Sequence, residues 1–388
     1  MTSTAPCAKI RLTHIITGLD VGGAETMLSK LVSNQNRERF ELEVICLQPN
    51  GPIGERIAAM GIPVRSLEMR SAKGTLPAIG KLAGWLRRSR PDIVQTWMYH
   101  ADLVGGIAAR LSRRRAVAWN IRNGTLDSQG TKRSTLQVVR MLASLSRSLP
   151  SRIVCCSEDA RQLHAGMGYD ADKMIVIPNG FDLNQFRPDP AARRDVRDEL
   201  GVRADTPLVG LMARYHAQKD HGNFVEAAGI LSKSMPDVQF LLCGLDVHSA
   251  NSELMGYIAK SGAADRFHLL GKRSDMPRLT AALDVAVCAS HFGEAFPNVL
   301  GEAMACGVPC ATTDVGDAAY IVGDTGRVVP PKSPEELAGA IRALLTSASA
   351  DRLQRSSAAR QRVQEHFDLP LVALRYEKLY LEMAGGRN

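Results

Sequence analysis

The chain has 388 residues, of which 45% are hydrophobic, 23% charged and only 5% aromatic, and it carries a net charge of +8. That length exceeds one ordinary core and suits two domains of similar size. No run of about 18 uncharged apolar residues exists, which excludes a bilayer-spanning helix, and residues 1–10 lack the apolar centre of a secretory signal, so a cytoplasmic protein is expected.

Residues 9–17 (KIRLTHIIT) read as a first strand that runs into a glycine-rich loop at 18–23. The helix after it places Met27, Leu28, Leu31 and Val32 on one face. Strand patterns follow at 40–47, 64–67, 93–96, 116–120, 152–156 and 174–177, with helical patterns at 54–60 and 76–88. Pro178-Asn179-Gly180 stops this half, and the proline- and charge-rich stretch to Asp205 reads as a linker. The alternation then restarts. Strands are expected at 208–213, 238–243, 267–270, 284–288 and 310–312, helices at 220–233 and 251–261, and a last helix at 369–381. Strand–helix alternation of this kind builds doubly wound parallel sheets. The expectation is an acceptor-binding domain over 1–185, a second domain over 186–368, and a C-terminal helix at 369–388 that packs back on the first. Ligands are expected at the carboxyl ends of the strands, in a cleft between the two.

Charge is unevenly spread. Residues 71–152 hold fifteen Lys and Arg, among them Lys73, Arg87, Arg88, Arg113, Arg114 and Arg115, against Asp92, Asp102 and Asp127, a local net charge of +12. Such a field attracts an anionic partner. Aromatics do not interleave with the basic residues and no nucleic-acid motif is present, so an anionic membrane surface is the expected partner and nucleic acid is not. The eight cysteines, from Cys7 to Cys310, lie mostly in apolar strand-like runs and are expected to be reduced core thiols. No zinc-like spacing is completed around Cys306 and Cys310.

Four places carry chemistry. Gly22 and Gly23 close a strand–helix turn, where free N–H groups and the helix dipole suit phosphate. Arg214 and Lys219, five apart after the strand at 208–213, can clamp a diphosphate as a fork and a point charge. Glu294 and Glu302, eight apart, flank Phe296, Pro297, Asn298 and Val299. That segment suits a phosphate at a helix start, with carboxylates to accept hydrogen bonds from sugar hydroxyls. The segments around His100 (TWMYHADLVGG) and Asn123 (WNIRNG) follow strands of the first half and can reach the same space.

The segment SHFGEAFPNVLGEAMACGVPCATTDVGD resembles the retaining glycosyltransferase family 4, with its E-x7-E pattern, and GGAE, IPNGFD, ARYHAQKDH and GDTGRVVPP agree in order along the chain. The resemblance implies the GT-B architecture and a nucleotide-sugar donor, UDP- or GDP-linked, held mainly by the second half. It implies that no metal or other cofactor is needed, with Arg214 and Lys219 stabilising the departing nucleoside diphosphate. Glu294 would hold donor-sugar hydroxyls, Glu302 the ribose, and 296–299 the phosphate and sugar. Gly22 and Gly23 would close on the diphosphate, and Gly244 with Leu270–Lys272 would meet the base. The closest likeness is to enzymes of bacterial exopolysaccharide, capsule and O-antigen assembly, whose acceptors are commonly polyprenyl-diphosphate-linked. Two departures stand out. Ala295 replaces a glycine of the pattern. Asn120-Ile121-Arg122-Asn123 occupies a place where many members carry a histidine, which leaves Asn123 or Arg122 to contact the donor sugar there and His100 as the candidate cleft histidine. The alternative is a nucleotide-sugar epimerase or another enzyme of this architecture, which would act on the nucleotide sugar alone and need no basic acceptor face.

Overall fold

A computed structural model describes residues 8–71, 74–126 and 132–385, so Cys7, Lys73 and Asp127 lie outside the described residues. The chain forms two compact units. One comprises the chain through Gly180 together with the stretch from Leu369 onward, and the other is Phe181–Asp368.

Among the described residues the first unit holds β1 (Ile10–Ile16), β2 (Phe40–Cys46), β3 (Val64–Ser66), β4 (Ile93–Trp97), β5 (Val117–Ile121), β6 (Arg152–Cys155) and β7 (Met174–Val176). They lie in the order β3-β2-β1-β4-β5-β6-β7. Every pairing is parallel, with Ile10 opposite Phe40 and Leu12 opposite Ile93. All five residues of β4 and of β5 are buried, which is why both read as apolar runs rather than as alternating strands. The chain winds outward one way from β1 and the other way from β4. The loops after these two strands therefore diverge and leave a crevice at the carboxyl edge.

The C-terminal helix, Leu369–Gly385, joins this unit. Leu369, Val372, Tyr376, Leu379 and Tyr380 form one stripe and share a core with Leu28 and Leu31 of the helix Gly23–Asn34. Their i, i+3, i+4 spacing is what turns a terminal helix into a core element.

Several buried polar groups of the first unit pair with one another. Trp97 Nε1–H donates to His14 Nδ1 at 3.2 Å, and burial lowers the His14 pKa to about 4. Tyr99 donates to His164 Nε2 at 2.8 Å, while the Nδ1–H of His164 donates to the Ala160 carbonyl at 2.7 Å. Thr96 Oγ1 donates to Asp102 at 2.5 Å. Burial drives the Asp102 pKa well above the usual carboxylate range, because a buried carboxylate loses its hydration.

The second unit holds β8 (Leu208–Met212), β9 (Gln239–Cys243), β10 (Phe267–Leu269), β11 (Val285–Cys288), β12 (Cys310–Thr313) and β13 (Arg327–Val329), all parallel, in the order β10-β9-β8-β11-β12-β13. Winding reverses between β8 and β11. β13 escaped the sequence pattern because it has only three residues, two of them exposed.

The stretch read as a linker contains a helix, Pro190–Leu200. The Asp189 side chain caps it by accepting from Ala191 and Ala192 N–H, Pro190 opens it, and Gly201 closes it in the left-handed region at φ 66°. Its buried face includes an arginine where an apolar residue would have signalled a helix. Arg197 is 2% exposed and donates to Asp284 Oδ2 at 2.6 Å and to the Thr206 carbonyl at 2.7 Å. The seven cysteines among the described residues are all buried.

The state of Asp102 is testable through linkage. A carboxyl that is protonated when folded and ionised when unfolded takes up a proton on folding, so its contribution falls as pH rises above its unfolded pKa toward its folded pKa. Asp102→Asn removes that uptake. Its stability relative to wild type, from urea unfolding at several pH values above 4, is expected to rise by up to about 1.4 kcal/mol per pH unit. A constant offset would mean that Asp102 is ionised in the folded protein.

Candidate functional site

In each unit the chemically distinctive residues gather at the carboxyl edge of the sheet, where the winding reverses. In the second unit the chain leaves β8 through Ala213 and Arg214 and makes a short turn, Ala217–Lys219. It leaves β11 toward Ser290 and Glu294. These two loops meet: Lys219 Nζ donates to Glu294 Oε1. Ser290 Oγ donates to the same oxygen at 2.8 Å. The Glu294 residue is only 8% exposed, yet Oε2 has no hydrogen-bond partner among the described residues. One carboxylate oxygen is therefore anchored, and the other is left to accept from a ligand.

The anchor is itself braced. Thr313 Oγ1 donates to the Ser290 carbonyl and, at 3.3 Å, to that of Cys288. Asp317 N–H donates to the Ala295 carbonyl at 3.1 Å. Gly316, at φ 58°, passes so close that an added Cβ would lie 2.3 Å from the Glu294 carbonyl oxygen. On the other side His291 N–H donates to the Gln218 carbonyl at 3.1 Å, tying the β11 loop to the β8 loop through backbone as well. The His291 ring faces Asp220 Oδ2 at 3.4 Å. Ser290, Thr313, Gly316 and Asp317 were not singled out from the sequence. The glycine in TTDVGD was the signal available for the last two.

Of the two expected cations, Lys219 is thus engaged with Glu294. Arg214 is exposed and makes no ion pair or side-chain hydrogen bond among the described residues. Phe296 spends its ring on the core, stacked on Phe181 at 6.2 Å and edge-on to Phe367 at 5.6 Å. An added Cβ on Gly301 would lie 2.1 Å from the Phe181 ring, so IPNGFD and the E-x7-E segment interlock. This leaves the backbone of 296–299 as the part that can face a ligand. Pro297 precedes the helix Asn298–Ala305, and no side chain caps that helix start. Asn298 and Val299 are half-buried in its first turn, and Glu302 is half-buried one turn in. Gly244 follows β9 and lies against the Ala213 carbonyl, its N–H donating to Gly271 at 2.9 Å. Leu270 and exposed Lys272 flank that glycine, beside the Gly244 turn.

In the first unit Gly22 is the residue before the helix Gly23–Asn34, and no side chain caps that helix. The Glu25 carboxylate folds over Gly22, 2.3 Å from where a Cβ would be. Met98, at φ 71°, turns the chain from β4 into the helix Tyr99–Leu111, with His100 exposed in its first turn. Asn123 is exposed, two residues past the end of β5. The basic residues are not gathered there: Arg113, Arg114 and Arg115 precede β5, at the opposite edge of the sheet. Among the described residues no three His, Cys, Asp or Glu side chains group to hold a metal ion, and no helix is long and apolar enough to cross a membrane.

The chain is similar to known glycosyltransferases. Residues 21–185 match the family model described as Glycosyltransferase Family 4, and residues 206–347 match Glycosyl transferases group 1. The chain is 26% identical over 319 residues to the UDP-Gal:alpha-D-GlcNAc-diphosphoundecaprenol alpha-1,3-galactosyltransferase of Escherichia coli, covering 79% of this chain and 80% of that one. It is 27% identical over 313 residues to the phosphatidyl-myo-inositol mannosyltransferase of Mycobacterium tuberculosis, covering 79% and 77%. In fold it is similar to Alr3699/HepE of Anabaena, solved with UDP and glucose, with a TM-score of 0.81 at 24% identity over 95% of this chain and 98% of that one.

The Lys219–Glu294 contact should show as coupling. Lys219→Ala and Glu294→Ala each leave a partly buried charge alone, so the double variant is expected to lose less stability than the two single losses added. The difference should be about 0.5–3 kcal/mol in a thermodynamic cycle. Strict additivity would show that the two groups do not interact in solution.

Proposed function

The chain belongs to the family 4 glycosyltransferases, two parallel-sheet Rossmann-like units of the GT-B class, and from that premise we propose that it transfers a hexose from UDP to a saccharide carried on a polyprenyl diphosphate, without a metal and with retention at the anomeric carbon. The observation that carries this reading is the half-anchored Glu294 in the loop after β11, with exposed Arg214 in the loop after β8, where the winding of the second sheet reverses. A carboxylate with one open oxygen accepts from sugar hydroxyls. A free guanidinium can meet the diphosphate through its fork, and Lys219 adds a second positive charge close by. The UDP donor and the lipid-diphosphate acceptor are those named for the E. coli relative. A GDP donor is the alternative for the base.

In the reaction the bond between the anomeric carbon and the β-phosphate oxygen breaks, and the acceptor hydroxyl oxygen bonds to that carbon from the same face. The hydroxyl proton passes to the departing phosphate. Arg214 and Lys219 stabilise the charge that grows there, so no metal is required. The uncapped helix start at Asn298 adds its dipole. Glu294 orients the sugar and Glu302 the ribose. The epimerase reading has no observation in its favour.

A thermal-shift screen with UDP, GDP, ADP and TDP in EDTA tests the donor site. UDP at about 100 times its dissociation constant is expected to add about 2.7 kcal/mol of stability. Arg214→Ala and Lys219→Ala should abolish the shift and lower turnover by about 10²–10³. A shift with GDP alone would replace the base, and none with any nucleotide would remove the site.

The net +12 stretch at 71–152 supports an anionic membrane surface as the place where the acceptor is met, on the cytoplasmic face. Vesicles containing anionic lipid are expected to float the protein at low ionic strength and to release it at high salt, as screening shortens the reach of surface charge. Failure to float at low salt would remove the membrane partner.

A further inference from the structure

The first unit contains a cation, Arg122, that the sequence offered with Asn123 as a contact to the donor sugar and that the diphosphate clamp of Arg214 and Lys219 leaves unused. Arg122 follows β5 directly, at the same sheet edge as Gly22 and Glu25. Its guanidinium donates to Asn179 Oδ1 and, at 3.5 Å, to Asn120 Oδ1. It lies over the Trp97 ring at 5.4 Å. These holders are themselves fixed. Asn120 Nδ2 donates to Tyr376 at 3.0 Å, the Tyr376 and Trp97 rings stack at 6.2 Å, and Trp97 is tied to His14. Trp97, Asn120 and Tyr376 are fully buried.

Every group that holds Arg122 is neutral. Among the described residues no carboxylate lies within ion-pair distance of it. Glu25 is the acid that senses its charge, and does so only from a distance. An arginine cannot shed its proton to escape this position, and a half-buried cation without a counter-ion is unfavourable. A fold that immobilises such a group with neutral partners holds a charge ready for an anion that arrives from outside, and it leaves N–H donors of the fork to meet it.

We infer that Arg122 is the residue that binds a phosphoryl group of the acceptor, and so makes the enzyme select phosphate-linked saccharides over uncharged ones. This rests on the reading above, in which Arg214 and Lys219 of the second unit serve the donor diphosphate and the first unit takes the acceptor.

The test compares two acceptors with one UDP-sugar donor: a saccharide diphosphate on a short alkyl chain, and the same saccharide as an uncharged alkyl glycoside. Wild type is expected to show a KM about tenfold or more lower for the diphosphate, the size of a charge-assisted hydrogen bond. Arg122→Gln should bring the two KM values together, with the donor KM and the UDP thermal shift unchanged. Arg122→Lys keeps the charge without the fork and should fall between, and it decides the matter if the glutamine variant does not fold. Equal KM values in wild type, an unchanged preference in the variants, or a defect confined to the donor KM would each overturn the assignment. Absence of transfer to either acceptor by wild type would instead overturn the parent reading.

Discussion

The contact between Lys219 and Glu294 is the constraint around which the second unit is arranged. The two residues are 75 positions apart, and each sits at the end of a strand on one side of the place where the winding reverses. Bringing them together fixes the loop after β8 against the loop after β11. Ser290 shares the carboxylate, Thr313 holds Ser290, and Gly316 presses on the Glu294 backbone. A carboxylate held on one oxygen by two donors cannot swing, so its other oxygen keeps one direction. That is preorganisation by ordinary hydrogen bonds, and it costs no reorientation when a ligand arrives.

The same economy operates in the first unit with different chemistry. There the fixed group is a cation, and the fixing groups are amides and aromatic rings. Asn120, Asn179 and Trp97 hold the guanidinium of Arg122 without neutralising it. Tyr376, which bonds to Asn120 and stacks on Trp97, comes from the terminal helix, so the return of that helix to the first unit braces the clamp as well as completing the core. The two units thus present opposite solutions at equivalent places in their sheets. One is an acid restrained by a base, and the other is a base restrained by neutral partners.

An interlocking aromatic cluster fixes the segment 294–302 in the second unit. Phe181, Phe296 and Phe367 pack on one another, and Gly301 leaves room for the Phe181 ring. Residues that look like ligand-binding positions from their spacing therefore split into two kinds. The Glu294 side chain faces outward chemistry, whereas Phe296 supplies packing and offers only its backbone.

The strand–helix alternation behind two parallel sheets was legible in the sequence, and so was the place of Arg214, Lys219 and Glu294 in loops that follow strands. Each depends on local periodicity or on a short motif, and both survive reading one residue at a time. The helix Pro190–Leu200 was not legible, because its buried face is completed by Arg197, whose charge is balanced by Asp284, 87 positions away. β13 was too short and too exposed to carry a pattern. The pairing of Lys219 with Glu294, the bracing by Ser290, Thr313 and Gly316, and the clamp on Arg122 were likewise decided only in three dimensions. A side chain's partner is set by which strands lie side by side and where their loops end. Residues far apart in the chain come into reach only once the sheet order β10-β9-β8-β11 or β1-β4-β5 exists.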